Sequence, residues 1–87
     1  MEFHEKYNRL KGFEKLCVHG SESFDSGYGD YYLETGRYKP WSVQTLKATL
    51  SRGLVESHRR LVNGVYYVKL SEKGLELGRE IRKKLHG

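Results

Sequence analysis

The chain has 87 residues, which is enough for one domain with a modest hydrophobic core and too few for two, so we predict a single domain over residues 1–87. The net charge is +5, and residues 41–87 hold 10 basic and 4 acidic side chains against 6 basic and 7 acidic in residues 1–40. This asymmetry favours a polyanionic partner, either nucleic acid or an anionic membrane surface, although a solvated basic face without a partner has the same composition.

The apolar runs are only a few residues long, so we predict no segment that spans a bilayer. The opening MEFHEKYNRLKGF lacks the apolar stretch of a secretory signal, and the expected location is therefore cytoplasmic. Cys17 is the only cysteine and cannot form an internal disulfide. We expect it to be a small buried residue on the first helix.

The first half of the chain shows one clear helical pattern. Apolar residues recur every three or four positions over residues 3–17, which predicts a helix with an interruption at Gly12. Residues 18–27 have no such period and are rich in Gly and Ser, so a loop is expected. Residues 28–34 are compatible with a short helix or a strand, and we take the helix because Asp30 suits an N-cap and Gly36 the residue after a helix end.

A second helix is predicted between Pro40 and Gly53. Proline suits the first turn of a helix, where its missing N–H group costs nothing, and glycine suits the residue just past the end. Val43, Leu46 and Leu50 then lie on one stripe that faces the core.

Asn63-Gly64 predicts a β-hairpin with a two-residue type I′ turn. This turn would pair residue 62 with 65, 60 with 67, 59 with 68 and 58 with 69. One face of the hairpin would then cover the core, and the other would carry polar and basic side chains. The predicted core face holds Val55, Leu61, Tyr66, Val68 and Leu70, with Arg59 also on that side, and the predicted outer face holds Glu56, His58, Arg60, Tyr67 and Lys69.

The last predicted helix begins after Ser71 as N-cap and runs to about Leu85. Leu77, Ile81 and Leu85 would face inward. Its last turn holds three basic residues at 82–84, where the helix dipole favours cations. The chain as a whole is therefore predicted to be an α+β domain with three to four helices and a two-stranded hairpin.

In its order of elements and its local motifs the chain resembles the MarR and PadR type of winged-helix transcriptional regulator. The resemblance rests on LETGRYKPWSVQTLKATLSRGLVES as helix-turn-helix, ESHRRLVNGVYYVKL as wing and LSEKGLEL as the opening of the next helix. It implies a small winged helix-turn-helix domain that binds double-stranded DNA, with a homodimer as an open alternative to a monomer. One departure is Thr49, which stands where the family usually has a leucine four residues before the glycine.

The resemblance also implies which residues face DNA. The recognition helix, at about 40–52, would present polar side chains to the major groove, where Gln can bond adenine and Ser or Thr can reach bases or phosphates. The basic wing, at about 55–70, would contact phosphates or the minor groove. The predicted DNA-binding residues are Ser42, Gln44, Thr45, Lys47, Ala48 and Arg52 on the helix and Arg59, Arg60 and Lys69 on the wing.

Trp41 allows two interpretations: it covers the core beside the turn, or it stacks against DNA at the start of the helix. The four histidines are scattered without metal-ligand spacing, and no glycine-rich phosphate loop follows a strand, so no metal, cofactor or catalytic site is predicted. We expect a transcriptional regulator that is not an enzyme, of the compact kind typical of phages and plasmids. The alternative is a winged-helix module that binds a protein partner, for example as an inhibitor of a nucleic-acid enzyme.

Overall fold

A computed structural model describes residues 3–27, 33–36, 39, 41–61 and 64–86. These segments form four helices and one three-stranded antiparallel sheet, which confirms the predicted α+β class. None of the described helices is long and apolar enough to cross a membrane. In chain order the elements are α1 (Phe3–Asn8), α2 (Gly12–Asp25), β1 (Leu33–Thr35), α3 (Val43–Ser51), β2 (Val55–Arg60), β3 (Tyr66–Leu70) and α4 (Glu72–His86).

The first predicted helix is divided into α1 and α2, and the break lies next to Gly12, as expected. The Lys11 N–H donates to the Glu14 carboxylate at 2.9 Å, which satisfies one free donor at the start of α2. The predicted loop over 18–27 is wrong, because α2 continues to Asp25. Val18 and Ser21 are buried there, and this tertiary packing outweighs the weak helix propensity of the Gly and Ser residues.

Residues 33–35 form strand β1, which pairs antiparallel with β3. The predicted short helix is therefore wrong at its C-terminal end, while residues 28–32 lie outside the described part of the chain. Leu33 and Thr35 are both buried and Glu34 between them is half-buried, which is the alternation of a strand with one face on a core. The long-range pairing with β3 decided the conformation, and local propensity alone could not reveal it.

Helix α3 begins at Val43, three residues after the predicted start at Pro40, which lies outside the described residues. Ser42 is its N-cap and accepts the Thr45 N–H at 3.3 Å. The predicted stop at Gly53 is confirmed: Gly53 has φ +70°, and its N–H donates to the Leu50 carbonyl at 3.0 Å. This left-handed residue ends the helix and turns the chain into β2.

The hairpin register differs by one residue from the prediction. Arg60 pairs with Tyr66 and Arg59 with Tyr67, and the Leu61 N–H donates to the Val65 carbonyl at 2.7 Å. The predicted register is therefore wrong, while Val62 and Asn63 of the predicted turn lie outside the described residues. Gly64 has φ +73°, a left-handed conformation that glycine adopts readily in hairpin turns.

The sheet order is β1-β3-β2, and its inner face packs on the helices. A register shift of one residue exchanges the two faces of a strand. Arg60 and His58 therefore share the inner side with Tyr66 and Val68, and Arg59 lies on the outer side with Tyr67. This reverses the predicted sides of all three β2 residues.

Two groups of buried side chains form the core. The larger joins α2, α3 and the inner sheet face, and the smaller lies between α2 and α4. Ser71 is the N-cap of α4, as predicted, because its Oγ accepts the Gly74 N–H at 3.2 Å and donates to the Gly53 carbonyl at 2.8 Å. The larger group is Leu16, Cys17, Leu33, Leu46, Leu54, Val68 and Leu70, and the smaller is Val18, Ile81 and Leu85.

Candidate nucleic-acid interface

The free face of α3 carries a polar stripe. Gln44, Lys47 and Ser51 recur at spacings of three and four residues, and all three are exposed. Ala48 is half-buried beside this stripe, and Ser42 is exposed at the start of the helix. Four of the six predicted DNA-facing residues of the helix, namely Ser42, Gln44, Lys47 and Ala48, therefore lie on or beside one accessible surface.

Thr45 and Arg52 are held by contacts within the protein. Thr45 is half-buried, and its Oγ1 lies 2.9 Å from the position that a Cβ on Gly12 would occupy, so it belongs to the contact between α2 and α3. Arg52 donates from Nη1 to the Ala48 carbonyl at 3.0 Å, and its guanidinium carbon lies 4.1 Å from the centre of the Phe13 ring. Arg52 thus remains exposed, but its head group has a fixed position at the end of α3.

Thr49 explains how α3 keeps its orientation without the leucine expected at that position. Its side chain is fully buried, and its Oγ1 donates to the Thr45 carbonyl at 2.6 Å. The hydroxyl is therefore satisfied inside the helix, and Thr49 fills the core position next to Leu46 and Leu50.

The hairpin carries two cations that differ from Lys69 in their surroundings. Arg59 and Arg60 are exposed, and neither forms an ion pair or hydrogen bond with another described residue. The Lys69 Nζ lies 3.3 Å from the Glu56 carboxylate, and its side chain is half-buried. The two arginines are thus available to an external anion, whereas the charge of Lys69 is largely compensated.

Arg60 and the α3 stripe lie on the same side of the sheet. Leu46 of α3 packs on the core that covers the inner sheet face, and Arg60 projects from β2 on that side. His58 shares this side, with its ring centre 6.2 Å from that of Tyr66.

Trp41 is half-buried and packs against the larger core group, with its ring centre 5.0 Å from that of His19. The Gly36 N–H donates to the Trp41 carbonyl at 2.8 Å, which ties the segment before α3 to the end of β1. Both contacts favour the interpretation of Trp41 as a core residue.

A second basic cluster, which the sequence analysis missed, lies where the end of α2 meets α4. Asp25 accepts from Arg79 Nη2 at 2.7 Å and from Arg82 Nη1 at 2.8 Å. These hydrogen bonds, first from Arg79 and then from Arg82, lower the pKa of Asp25 to about 2. With Lys83 and His86 the three residues line a cavity of about 360 Å³. The sequence analysis placed Asp25 in a loop, so it could not predict that Asp25 would pair with α4. The only signal in the sequence was the spacing of Arg79 and Arg82, which puts them on one face of a helix.

Cys17 and His19 are both on α2 but differ in exposure. Cys17 is fully buried, whereas the His19 side chain is exposed. Burial, with a smaller contribution from Glu14, raises the pKa of the Cys17 thiol to about 12, so the thiol stays protonated at neutral pH. No group of three metal-ligating side chains comes together among the described residues.

A comparison of the chain with protein-family models, with curated proteins and with solved structures finds no match.

Proposed function

We propose that this protein is a winged-helix regulator that binds double-stranded DNA, with α3 as the recognition helix in the major groove and the β2–β3 hairpin as the wing. The order from α2 to α4 agrees with this plan, because a strand, a helix and a hairpin follow the first core helix and a further helix closes the core. In the strand order β1-β3-β2, strand β2, which follows α3 directly, lies at the sheet edge, and β3 is central.

One part of the helix-turn-helix pattern is not found in the described residues. Seven residues, 36–42, connect β1 to α3, and the Lys39 N–H donates to the Gly36 carbonyl at 3.1 Å in a turn. A helix before α3 is absent from the described part of this connection. The proposal therefore depends on α3 and the hairpin, and α2 supports α3 directly through the contact between Gly12 and Thr45.

The observation that carries the proposal is the exposed, uncompensated Arg60 on the same side of the sheet as the polar stripe of α3. A guanidinium suits phosphate because it offers donors in a planar fork. Gln44 can bond the N6 and N7 atoms of adenine, and Lys47 can pair with a backbone phosphate. Sequence-specific binding needs base contacts to read the sequence and phosphate contacts to position the protein. We assign the base contacts to the helix and the phosphate contacts to the hairpin.

Selection of bound fragments from random and genomic duplex pools, followed by anisotropy titrations at three salt concentrations, tests the proposal. We expect Arg60→Ala to weaken binding to selected and random duplex alike and to flatten the plot of log affinity against log salt by about one unit. Lys73→Ala is the matched control, because Lys73 is an exposed cation on the first turn of α4, outside the proposed surface. A Lys73 effect equal to that of Arg60 would show that the binding is only diffuse attraction to net charge.

The alternative function, a module that binds a protein partner, makes a different prediction. An interface with a protein buries apolar surface and responds weakly to salt, whereas phosphate contacts release counterions. If the parent protein shows no salt-dependent binding to any duplex, the regulator proposal fails and the protein-partner alternative becomes the better one.

A further inference from the structure

The outer face of the sheet, which points away from the helices, carries polar, charged and aromatic side chains from β2 and β3. Arg59 and Tyr67 are directly opposite each other in the β2–β3 register, so both side chains are on the face away from the helices. Ser57 pairs with Lys69 on the same face, one step along the strands. The α3 stripe and Arg60 are on the opposite side, so a single rigid duplex seated on α3 would not also lie flat against Arg59.

Among the described residues of this outer face, Arg59 is the charged residue that lacks an ion-pair partner. Lys69 pairs with Glu56, and Glu34, which shares the face through its pairing with Tyr67, forms an ion pair with Lys39. Arg59 has no carboxylate within reach among the described residues. An external anion that approached this face would therefore be attracted to one position.

A cavity of about 440 Å³ adjoins that position and is lined by Ser57, His58, Arg59 and Tyr67. Its volume lies within the range of roughly 300–1,000 Å³ that holds small ligands. On the outer face the lining offers the Arg59 guanidinium and the Ser57 hydroxyl for an oxyanion and the Tyr67 ring for a planar group. An oxyanion joined to a planar ring is the chemistry of a nucleotide.

We propose that this outer pocket binds an unpaired nucleotide within single-stranded nucleic acid, with the base against Tyr67 and the phosphate paired with Arg59 and Ser57. In a duplex the faces of the bases are covered by their neighbours, so only an unpaired base can stack on a side chain. Ser57 and Arg59 are exposed on the open outer face, and the exposed His58 borders the pocket at the edge strand β2, so a strand can enter and leave along this edge. The site is separate from the duplex-binding surface proposed above.

Anisotropy titration with labelled oligothymidine and, in parallel, with a labelled duplex tests this proposal on the full chain. We expect Arg59→Ala and Tyr67→Leu each to weaken oligothymidine binding about 10-fold, the usual scale for loss of one stacked base or its phosphate contact. Tyr67→Phe keeps the ring and should stay within about 2-fold of the parent. Lys73→Ala is the matched control: it removes the same charge from an exposed position on α4, outside both proposed surfaces, and should leave oligothymidine affinity nearly unchanged.

The two proposals can fail separately. A parent that binds oligothymidine but no duplex would remove the regulator proposal and leave this one standing, and the reverse result would overturn this one. Equal losses of oligothymidine affinity from Arg59→Ala and Lys73→Ala would also overturn it, because attraction would then depend only on net charge. Competition by thymidine monophosphate as effective as that by the strand would contradict the assignment to a strand. Thermal melting of each variant identifies any that fails to fold. If Tyr67→Leu fails to fold, the test is the comparison of Arg59→Ala, which should bind more weakly, with Tyr67→Phe, which should bind like the parent.

Discussion

Gly78 of α4 lies against the backbone carbonyl of Cys17 at the point where α4 crosses α2. A Cβ added to Gly78 would overlap that carbonyl and would stand 2.5 Å from the Ser21 Oγ. The helices therefore approach closely because position 78 has no side chain. This contact brings Ile81 and Leu85 against Val18 in the smaller core group.

We expect Gly78→Ala to destabilise the protein by about 1–3 kcal/mol, because the backbone of α2 must move to admit the methyl group. In a helix without such a contact the same change would stabilise by about 1 kcal/mol. Urea denaturation measures the difference, and Glu80→Ala, at an exposed position of the same helix, is the control. A Gly78→Ala variant as stable as the parent would show that the helices are farther apart.

Leu46→Ala tests the orientation of α3. Leu46 is buried in the larger core group, so we expect a loss of about 2–5 kcal/mol from the lost transfer energy and the cavity together. The neighbouring Lys47 is exposed, and Lys47→Ala should leave the urea midpoint nearly unchanged. If Lys47→Ala were the more destabilising change, the face of α3 that holds Lys47 would be the buried one. Gln44 would then not belong to the proposed groove surface.

Asp25 links acid stability to the contact between α2 and α4. Its pKa is lowered from 3.8 to about 2 by Arg79 and Arg82, so the unfolded chain takes up a proton at higher pH than the folded protein does. The stabilisation is therefore complete above about pH 4 and is lost as the pH falls through about 2. We expect Asp25→Asn to lower the thermal midpoint near neutral pH and the difference from the parent to shrink below pH 4. Glu22→Gln, at an exposed acidic position on the same helix, should show no such pattern.

Gln44→Ala separates base recognition from phosphate attraction. If Gln44 contacts a base edge, its loss should weaken binding to the selected duplex by roughly 1–3 kcal/mol and barely change binding to random duplex. Ser26→Ala is a suitable control, because Ser26 is exposed just after α2, outside the proposed surface, and its hydroxyl already donates to the Glu22 carbonyl at 2.8 Å. If Gln44→Ala weakened binding to the selected and the random duplex equally, Gln44 would contact phosphate and not a base edge.

Local signals in the sequence were sufficient for the elements that need only nearby residues. Gly53 stops α3 because a left-handed residue there lets the last carbonyls find donors, and Ser71 starts α4 because its hydroxyl accepts a nearby N–H. The exposed residues Gln44 and Lys47 also followed from the helical period, because the opposite side of the same helix carries Leu46 and Leu50.

Tertiary contacts decided the rest. Helix α2 extends to Asp25 because Arg79 and Arg82, more than fifty residues later, bind Asp25 in its last turn and because Ser21 is buried. Residues 33–35 became a strand because β3 supplies partners that no local pattern announces. A shift of one residue in the β2–β3 register exchanged the faces of Arg59 and Arg60, since strand side chains alternate. The sequence alone determined which cations the hairpin carries, and the register determined which surface each of them serves.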